Sequence, residues 1–130
     1  MRYMGIDFGF KRIGLALSDD DEQFAMPLGV VDSSQKSLEV VVREAEKNNV
    51  IAFVMGESKN YDGKENRIME RIHVFVDELK KASGKEVYLE PEFMTSAHAE
   101  KLQGKHDMID ASSAALILQS FLDKKRNGGL

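Results

Sequence analysis

The 130-residue chain contains no cysteine. Disulfide bonds and thiolate metal sites are therefore excluded, as expected for a protein of a reducing cytoplasm. No apolar run approaches the roughly 18 residues that a membrane-spanning helix requires. A signal peptide is not expected either, because Arg2 is followed by a strand pattern containing Asp7 and not by an apolar segment. We expect a cytoplasmic protein that does not bind a membrane.

The chain also lacks an excess of positive charge. It has 18 Lys and Arg against 22 Asp and Glu, which gives a net charge of −4. Proteins that hold nucleic acid mainly by charge are usually basic, so tight non-specific binding is not expected. A local basic patch and an acidic site that recruits cations are both compatible with this balance.

The hydrophobic pattern predicts one α/β domain over residues 1–130. Three strands come first and then helices and strands alternate, in the order β-β-β-α-β-α-β-α, with a short extra helix before the last one. This order is typical of a mixed sheet, here of five strands, with helices on both faces. The predicted strands are 3–8, 12–18, 26–32, 50–55 and 86–89, and the predicted helices are 37–48, 66–83, 96–103 and 110–123. We expect residues 124–130 to form a flexible tail.

A single carboxylate, Asp7, stands near the end of the first predicted strand, between Gly5 and Gly9. In open α/β sheets, functional sites lie beyond the carboxyl ends of the strands. Glycines on either side would let a bulky ligand approach the backbone. Asp7 is therefore either a ligand of a divalent metal close to a phosphate or a turn residue bonded to neighbouring amides.

Four further acids stand at or near the ends of predicted elements: Glu57, Glu90, Glu92 and Asp110. Each alone is more typical of a solvated loop, and Asp110 is also a suitable N-cap for the last helix. If these acids converge with Asp7, their mutual repulsion requires a neutralising cation. Oxygen ligands suit Mg²⁺ or Mn²⁺, and a pair of such ions can promote phosphodiester cleavage without a covalent protein nucleophile.

Basic residues near these acids are candidates for binding a phosphate backbone. Lys11 and Arg12 lie within a few residues of Asp7, and an arginine can bind phosphate through two hydrogen bonds. The alternative is that these cations only solvate the surface. Further candidates in the polar segment after the fourth strand are Lys59, Lys64 and Arg67.

Two motifs resemble those of the YqgF family, whose members are similar to Holliday junction resolvases and are also described as nucleases of precursor ribosomal RNA. Residues 5–16 (Gly-Ile-Asp-Phe-Gly-Phe-Lys-Arg-Ile-Gly-Leu-Ala) resemble its opening motif, and residues 109–119 resemble its closing motif. Residues 60–63 match its middle loop loosely. The resemblance covers nearly the whole chain and implies an RNase H-like fold with metal-dependent endonuclease activity.

The resemblance also implies a set of site residues. Asp7 and Asp110 match two acids of the family's carboxylate site. Where the family usually has Asp-Glu-Arg-Leu-Thr-Thr, this chain has Pro-Glu-Phe-Met-Thr-Ser over residues 91–96, which retains only Glu92 of the charged residues. Bacterial junction resolvases of related fold place a catalytic glutamate at the end of the fourth strand, where this chain has Glu57. The third carboxylate is therefore expected to be Glu92 or Glu57.

Several functions remain open from the sequence. The resemblance implies 5′-end processing of precursor 16S rRNA or, alternatively, resolution of Holliday junctions, which would require a symmetric homodimer with two active sites. A catalytically degenerate domain that binds nucleic acid or protein is the alternative supported by the altered Asp-Glu-Arg motif. Actin-like kinases and ATPases also open with Asp-x-Gly but need two such domains, whereas 130 residues suit one.

Overall fold

The structure is a computed structural model that describes residues 1–59, 67–93 and 106–128, with only the backbone described at positions 58, 59, 92, 93 and 106–110. Its strands are β1 (Arg2–Phe8), β2 (Arg12–Ser18), β3 (Ala25–Asp32), β4 (Val50–Lys59) and β5 (Glu86–Phe93). Its helices in these ranges are α1 (Ser37–Lys47), α2 (Met69–Ser83) and α3 (His106–Arg126). The predicted order of elements is confirmed, and the short helix predicted over 96–103 lies outside the described residues.

The strands form one mixed sheet in the order β3-β2-β1-β4-β5. The first three strands pair in antiparallel fashion, whereas β1 pairs with β4, and β4 with β5, in parallel. The prediction of a mixed five-stranded sheet is therefore confirmed. The strand that carries Asp7 is the central one, because β1 has two strands on either side.

Side chains alternate between the two faces of the sheet, as the period of two in a strand requires. Met4 and Ile6 of β1 belong to the core packed under α1 and α2, whereas Tyr3 belongs to the core packed under α3. Both cores are well filled, since Ile6 and Phe53 on one face and Leu118 on the other are fully buried. The prediction of helices on both faces is confirmed.

Helix α2 follows its predicted pattern closely. Ile72, Phe75 and Leu79 are buried at helical spacing, and Gly84 is the C-cap at φ +70°. The Gly84 N–H donates to the carbonyl oxygen of Lys80 at 2.9 Å, which satisfies one of the last free carbonyls of the helix. A left-handed conformation of this kind favours glycine.

The acidic segment after β2 forms a tight loop. One carboxylate oxygen of Asp19 accepts hydrogen bonds from the backbone N–H groups of Gln23 and Phe24. These bonds, that from Phe24 first, lower the pKa of the Asp19 carboxyl. Gln119 of α3 holds the same loop through the Gln23 carbonyl oxygen and the Ala25 N–H, each at 2.8 Å. The loop is thus fixed to the helix layer.

Strands β4 and β5 are longer than predicted. The segment from residue 57, predicted as a polar loop, continues β4 through Lys59, and β5 extends through Phe93 and not only to residue 89. The extra residues pair with one another in parallel, from Gly56 with Glu90 to Lys59 with Phe93. Pro91 does not end β5, because an edge strand tolerates a residue without a backbone N–H.

Helix α3 is longer than predicted at both ends. It begins at His106, four residues early, since no glycine or proline interrupts the segment before Asp110. It also includes residues 124–126, which were expected to belong to a flexible tail. Although α3 has 21 residues, no helix in the described ranges is apolar enough over a sufficient length to cross a membrane.

Candidate active site

Asp7 lies near the carboxyl end of β1, on the face of the sheet that α3 covers. This follows from the alternation along β1, because Ile6 and Phe8 pack on the opposite face against the α1 and α2 core. Asp7 is only partly exposed, and its backbone pairs with Gly14 of β2. A carboxylate at this position borders the core but remains within reach of solvent and a cation.

Contacts between β1 and α3 show that the two elements run in opposite directions. The rings of Tyr3 and Phe121 lie 5.7 Å apart. Two residues further along β1, a β-carbon added to Gly5 would lie 2.6 Å from the carbonyl oxygen of Ala114 and 2.7 Å from Cβ of Leu118. Residues later in β1 therefore lie beside residues earlier in α3.

The same geometry brings position 110 to the level of Asp7. Asp7 is two residues beyond Gly5, a rise of about 6.7 Å along a strand. Position 110 precedes Ala114 by one turn, or about 6 Å along a helix, on the same helical face. The fold thus brings together the backbones of two acids more than 100 positions apart in the sequence, while the Asp110 side chain lies outside the described part of the chain.

Asp110 does not have the capping role that the sequence also suggested. The helix begins at His106, so position 110 is inside its second turn and not at its N-cap. The prediction of an N-cap at Asp110 is therefore wrong. Position 110 lies beyond the free amides of the first turn, and the role of Asp110 as a metal ligand stays a prediction.

Glu57 lies on the other face of the sheet from Asp7. It is part of β4, where Phe53 and Met55 belong to the α1 and α2 core, and the alternation places Glu57 on that same side. The side chain is half-buried and has contacts within the protein. The structure thus does not bring Glu57 and Asp7 together on one face.

Glu92 is the other candidate for the third carboxylate. Its backbone pairs with Ser58 near the ends of β5 and β4, at the carboxyl edge of the sheet. The side chain of Glu92 lies outside the described part of the chain. Among the side chains that are described, no group of three or more His, Cys, Asp or Glu is arranged to hold a metal ion.

Glu90, for which the sequence taken alone favoured a solvated loop, is only 3% exposed. Its Oε2 accepts a hydrogen bond from Ser120 Oγ at 2.7 Å and forms an ion pair with Lys124 Nζ at 2.6 Å. Asp7 and Glu90 each come one position after a row of residues that pair across β1, β4 and β5. Both therefore lie on the α3 face, and β4 lies between their strands. Alternation within a longer β5 was the signal that could have revealed this buried acid.

Some of the candidate phosphate-binding residues have side chains that the structure describes, and others do not. Lys11 is exposed and Arg12 half-buried in the loop and strand that follow Asp7, and Arg67 is exposed just before α2. Lys59 is the last residue of β4, with its side chain outside the described part, and Lys64 lies outside the described residues altogether.

The three cations at the end of α3 are engaged within the protein. Lys124, Lys125 and Arg126 pair with Glu90, Glu22 and Asp123, respectively. The hydrogen bond that Lys125 donates to Glu22 raises the pKa of this lysine. The first two contacts fix the helix end to the rest of the fold, and the third lies within α3.

Comparison with known proteins shows the family of this chain. A family model described as "RuvX: Holliday junction resolvase" matches residues 1–124. The chain belongs to the RuvX family. Since this family includes the YqgF proteins, the resemblance seen in the sequence is confirmed.

Curated relatives of this RuvX-family chain are similar to it over almost their entire length. A protein of Lactobacillus delbrueckii subsp. bulgaricus is 33% identical, over 97% of this chain and 99% of its own. One from Anaeromyxobacter sp. strain Fw109-5 is 37% identical, over 95% and 97%. Both are named "Putative pre-16S rRNA nuclease".

Solved structures show that the family fold is present here. RuvC of T. thermophilus in complex with a Holliday junction substrate superposes with a TM-score of 0.61, at 17% identity, over 99% of this chain and 97% of RuvC. The fowlpox virus Holliday junction resolvase gives a TM-score of 0.60 at 13% identity, over 95% and 99%. The predicted RNase H-like fold is therefore confirmed.

Proposed function

We propose that this protein is a divalent-metal-dependent endonuclease that hydrolyses phosphodiester bonds of structured RNA in 5′-end processing of precursor 16S rRNA. The observation that supports the proposal most is the packing of β1 on α3 at Tyr3 and Gly5, from which we infer that Asp7 and position 110 lie at the same end of the sheet. This geometry occurs in a chain whose family match covers residues 1–124 and whose curated relatives are named for that RNA.

Three carboxylates are proposed to form the site: Asp7, Asp110 and Glu92. Glu92 is preferred to Glu57 as the third, because strand alternation places Glu57 across the sheet from Asp7. An all-oxygen donor set with one partly exposed aspartate fits Mg²⁺ or Mn²⁺. When bound, a pair of these ions would supply an activated water and stabilise the attacking and leaving oxygens.

The rest of the site positions the substrate strand. Lys11 and Arg12 follow Asp7 in the first hairpin, where they are proposed to bind phosphates on either side of the cleaved bond. Lys59, Lys64 and Arg67 are proposed as further phosphate contacts, of which Lys64 lies outside the described residues. The close packing of α3 on Gly5 keeps the distance between Asp7 and position 110 fixed, which a metal site requires.

Metal binding and cleavage test the proposal together. We expect Mn²⁺ to raise the melting temperature of the wild-type protein, because an ion that binds only the folded state stabilises it. Asp7→Asn should remove both this shift and the Mn²⁺-dependent cleavage of a precursor 16S rRNA fragment. Glu92→Gln should do the same, whereas Glu57→Gln is the matched control that keeps both. Loss of activity in Glu57→Gln alone would reverse the choice of third carboxylate.

Resolution of Holliday junctions is the second candidate function, and the description of the matching family favours it. It requires a symmetric dimer, since two strands must be cut at two sites. Analytical ultracentrifugation and cleavage of a synthetic four-way junction separate the two functions. A monomer that cuts the rRNA fragment but not the junction supports the first. A folded protein without any Mn²⁺ shift or cleavage supports the degenerate binding domain.

A further inference from the structure

A cleft of about 750 Å³ opens at the carboxyl end of β1, on the face of the sheet opposite Asp7. We call it the aromatic cleft, because its apolar lining is Phe8, Phe10, Leu38, Val74 and Phe75. The rings of Phe8 and Phe75 lie 5.1 Å apart in a tilted arrangement and form its floor. The volume is large enough for a small planar ligand.

Phe10 is the unusual member of this lining. It lies in the short loop between β1 and β2, and it is 54% exposed although it is a large apolar side chain. The guanidinium carbon of Arg71 stands 5.3 Å from the centre of its ring, which holds the ring beside α2 through a cation–π contact. An exposed aromatic ring beside a guanidinium is an arrangement on which nucleic-acid bases stack.

The two residues that follow Phe10 along the chain are cations. Lys11 is exposed immediately after it, and Arg12 follows. A strand whose phosphates contact these two residues would bring an adjoining base to Phe10. An aromatic residue interleaved with cations is a recurrent feature of surfaces that bind single strands.

The polar wall of the aromatic cleft suits a base better than a phosphate. On the side of α2 it carries the carboxylates of Glu70 and Glu78, which would repel a phosphate. These carboxylates can accept hydrogen bonds from exocyclic amino groups of a base. On the opposite side Ser34 and Gln35 provide uncharged donors and acceptors.

We propose that the aromatic cleft binds one unpaired nucleobase of the substrate strand, stacked on Phe10, while the adjoining phosphates contact Lys11 and Arg12. The proposal rests on the proposed function as a nuclease and adds a requirement to it. The substrate must offer an unpaired base close to the cleaved bond, which a continuous duplex does not.

Binding of labelled oligonucleotides without divalent metal tests this inference, because no cleavage then interferes. A 12-nucleotide single-stranded RNA and a continuous RNA duplex are compared by fluorescence anisotropy. Phe10→Ala should weaken binding of the single strand about 5- to 150-fold, the range for loss of one base–aromatic stack, and leave duplex binding unchanged. Phe10→Trp should retain wild-type affinity. Phe24→Ala is the matched control, since Phe24 is also exposed, at 62%, but lies in the β2–β3 loop.

The outcomes distinguish the inference from the function on which it rests. Single-strand affinity that is unchanged in Phe10→Ala, in a protein that still cleaves RNA, overturns the base pocket alone. Equal weakening of single strand and duplex overturns it as well, because Phe10 would then act through the hairpin and not by stacking. A wild-type protein that binds neither probe and cleaves no RNA contradicts both proposals.

Discussion

Gly5 is a point of close approach between the sheet and α3. A β-carbon there would lie 2.6 Å from a backbone oxygen of α3, and backbone cannot move aside as a flexible side chain can. We expect Gly5→Ala to displace the helix and to lower the free energy of unfolding by about 1–3 kcal/mol, the usual range for overpacking. Urea denaturation followed by circular dichroism measures this loss.

The matched control for Gly5 is Gly29, which also lies in a strand. An added β-carbon at Gly29 meets no atom within 4 Å, so Gly29→Ala should leave stability within about 0.5 kcal/mol of the wild type. Because α3 carries Asp110, Gly5→Ala should also weaken Mn²⁺ binding more than its loss of stability explains. A Gly5→Ala protein as stable as Gly29→Ala would show that α3 does not pack on β1 as described.

At the scale of elements, the buried acid Glu90 ties the edge strand β5 to the end of α3. The Lys124 side chain is 48% exposed and that of Glu90 only 4%. Removing the lysine should therefore lower the free energy of unfolding by a different amount than removing the glutamate. Lys124→Met leaves a buried carboxylate without its cation and should cost about 1–3 kcal/mol, reduced from the fully buried case by solvent access at the lysine. Glu90→Gln leaves a lysine that can turn to water and should cost less than about 1 kcal/mol.

The double variant completes the test of the Glu90–Lys124 pair. Because Glu90→Gln removes the buried charge, Lys124→Met added to it should cost much less than Lys124→Met alone. Thermal unfolding of the four proteins in one buffer gives the coupling. Equal losses in both single variants would mean that the pair is solvated and not buried as described.

The sequence predicted the elements well where the hydrophobic period decides the structure. The core of α2 and its glycine C-cap follow from local residues, and so does the order of helices and strands along the chain. The ends of β4 and β5 do not follow from local residues. Glu57 and Pro91 are residues typical of loops, and they lie in strands here because β4 and β5 pair with each other. Pairing between distant segments is not visible in a local pattern.

The candidate site divides in the same way. The acids themselves could be identified from the sequence, whereas the central place of β1 is seen only in the sheet. Which face each acid occupies could not, because the face of Glu57 depends on the register of a strand whose extent was underestimated. The burial of Glu90 was missed for the same reason. The sequence therefore indicates the chemistry of such a site more readily than it indicates which residues form the site.

At the scale of the whole molecule, the net charge of −4 limits how strongly charge alone can hold a nucleic acid. The candidate phosphate contacts are Lys11, Arg12, Lys59, Lys64 and Arg67. If all five contact a single strand, the slope of log K against log salt should be no steeper than about −3.5, because each phosphate contact contributes about −0.7. Titrations of the 12-nucleotide RNA from low to moderate salt measure this slope.

Removing one contact should change the slope by a defined step. Lys11→Ala should make it shallower by about 0.7 and weaken binding to all sequences alike, since phosphate contacts carry no sequence information. Lys125→Ala is the matched control, because Lys125 already pairs with Glu22 at 2.7 Å and lies at the far end of α3. A slope that changes in Lys125→Ala and not in Lys11→Ala would move the nucleic-acid surface to the C-terminal end of α3, away from Asp7. Agreement with the expected pattern would instead place the bound phosphates beside the carboxylates proposed to cleave them.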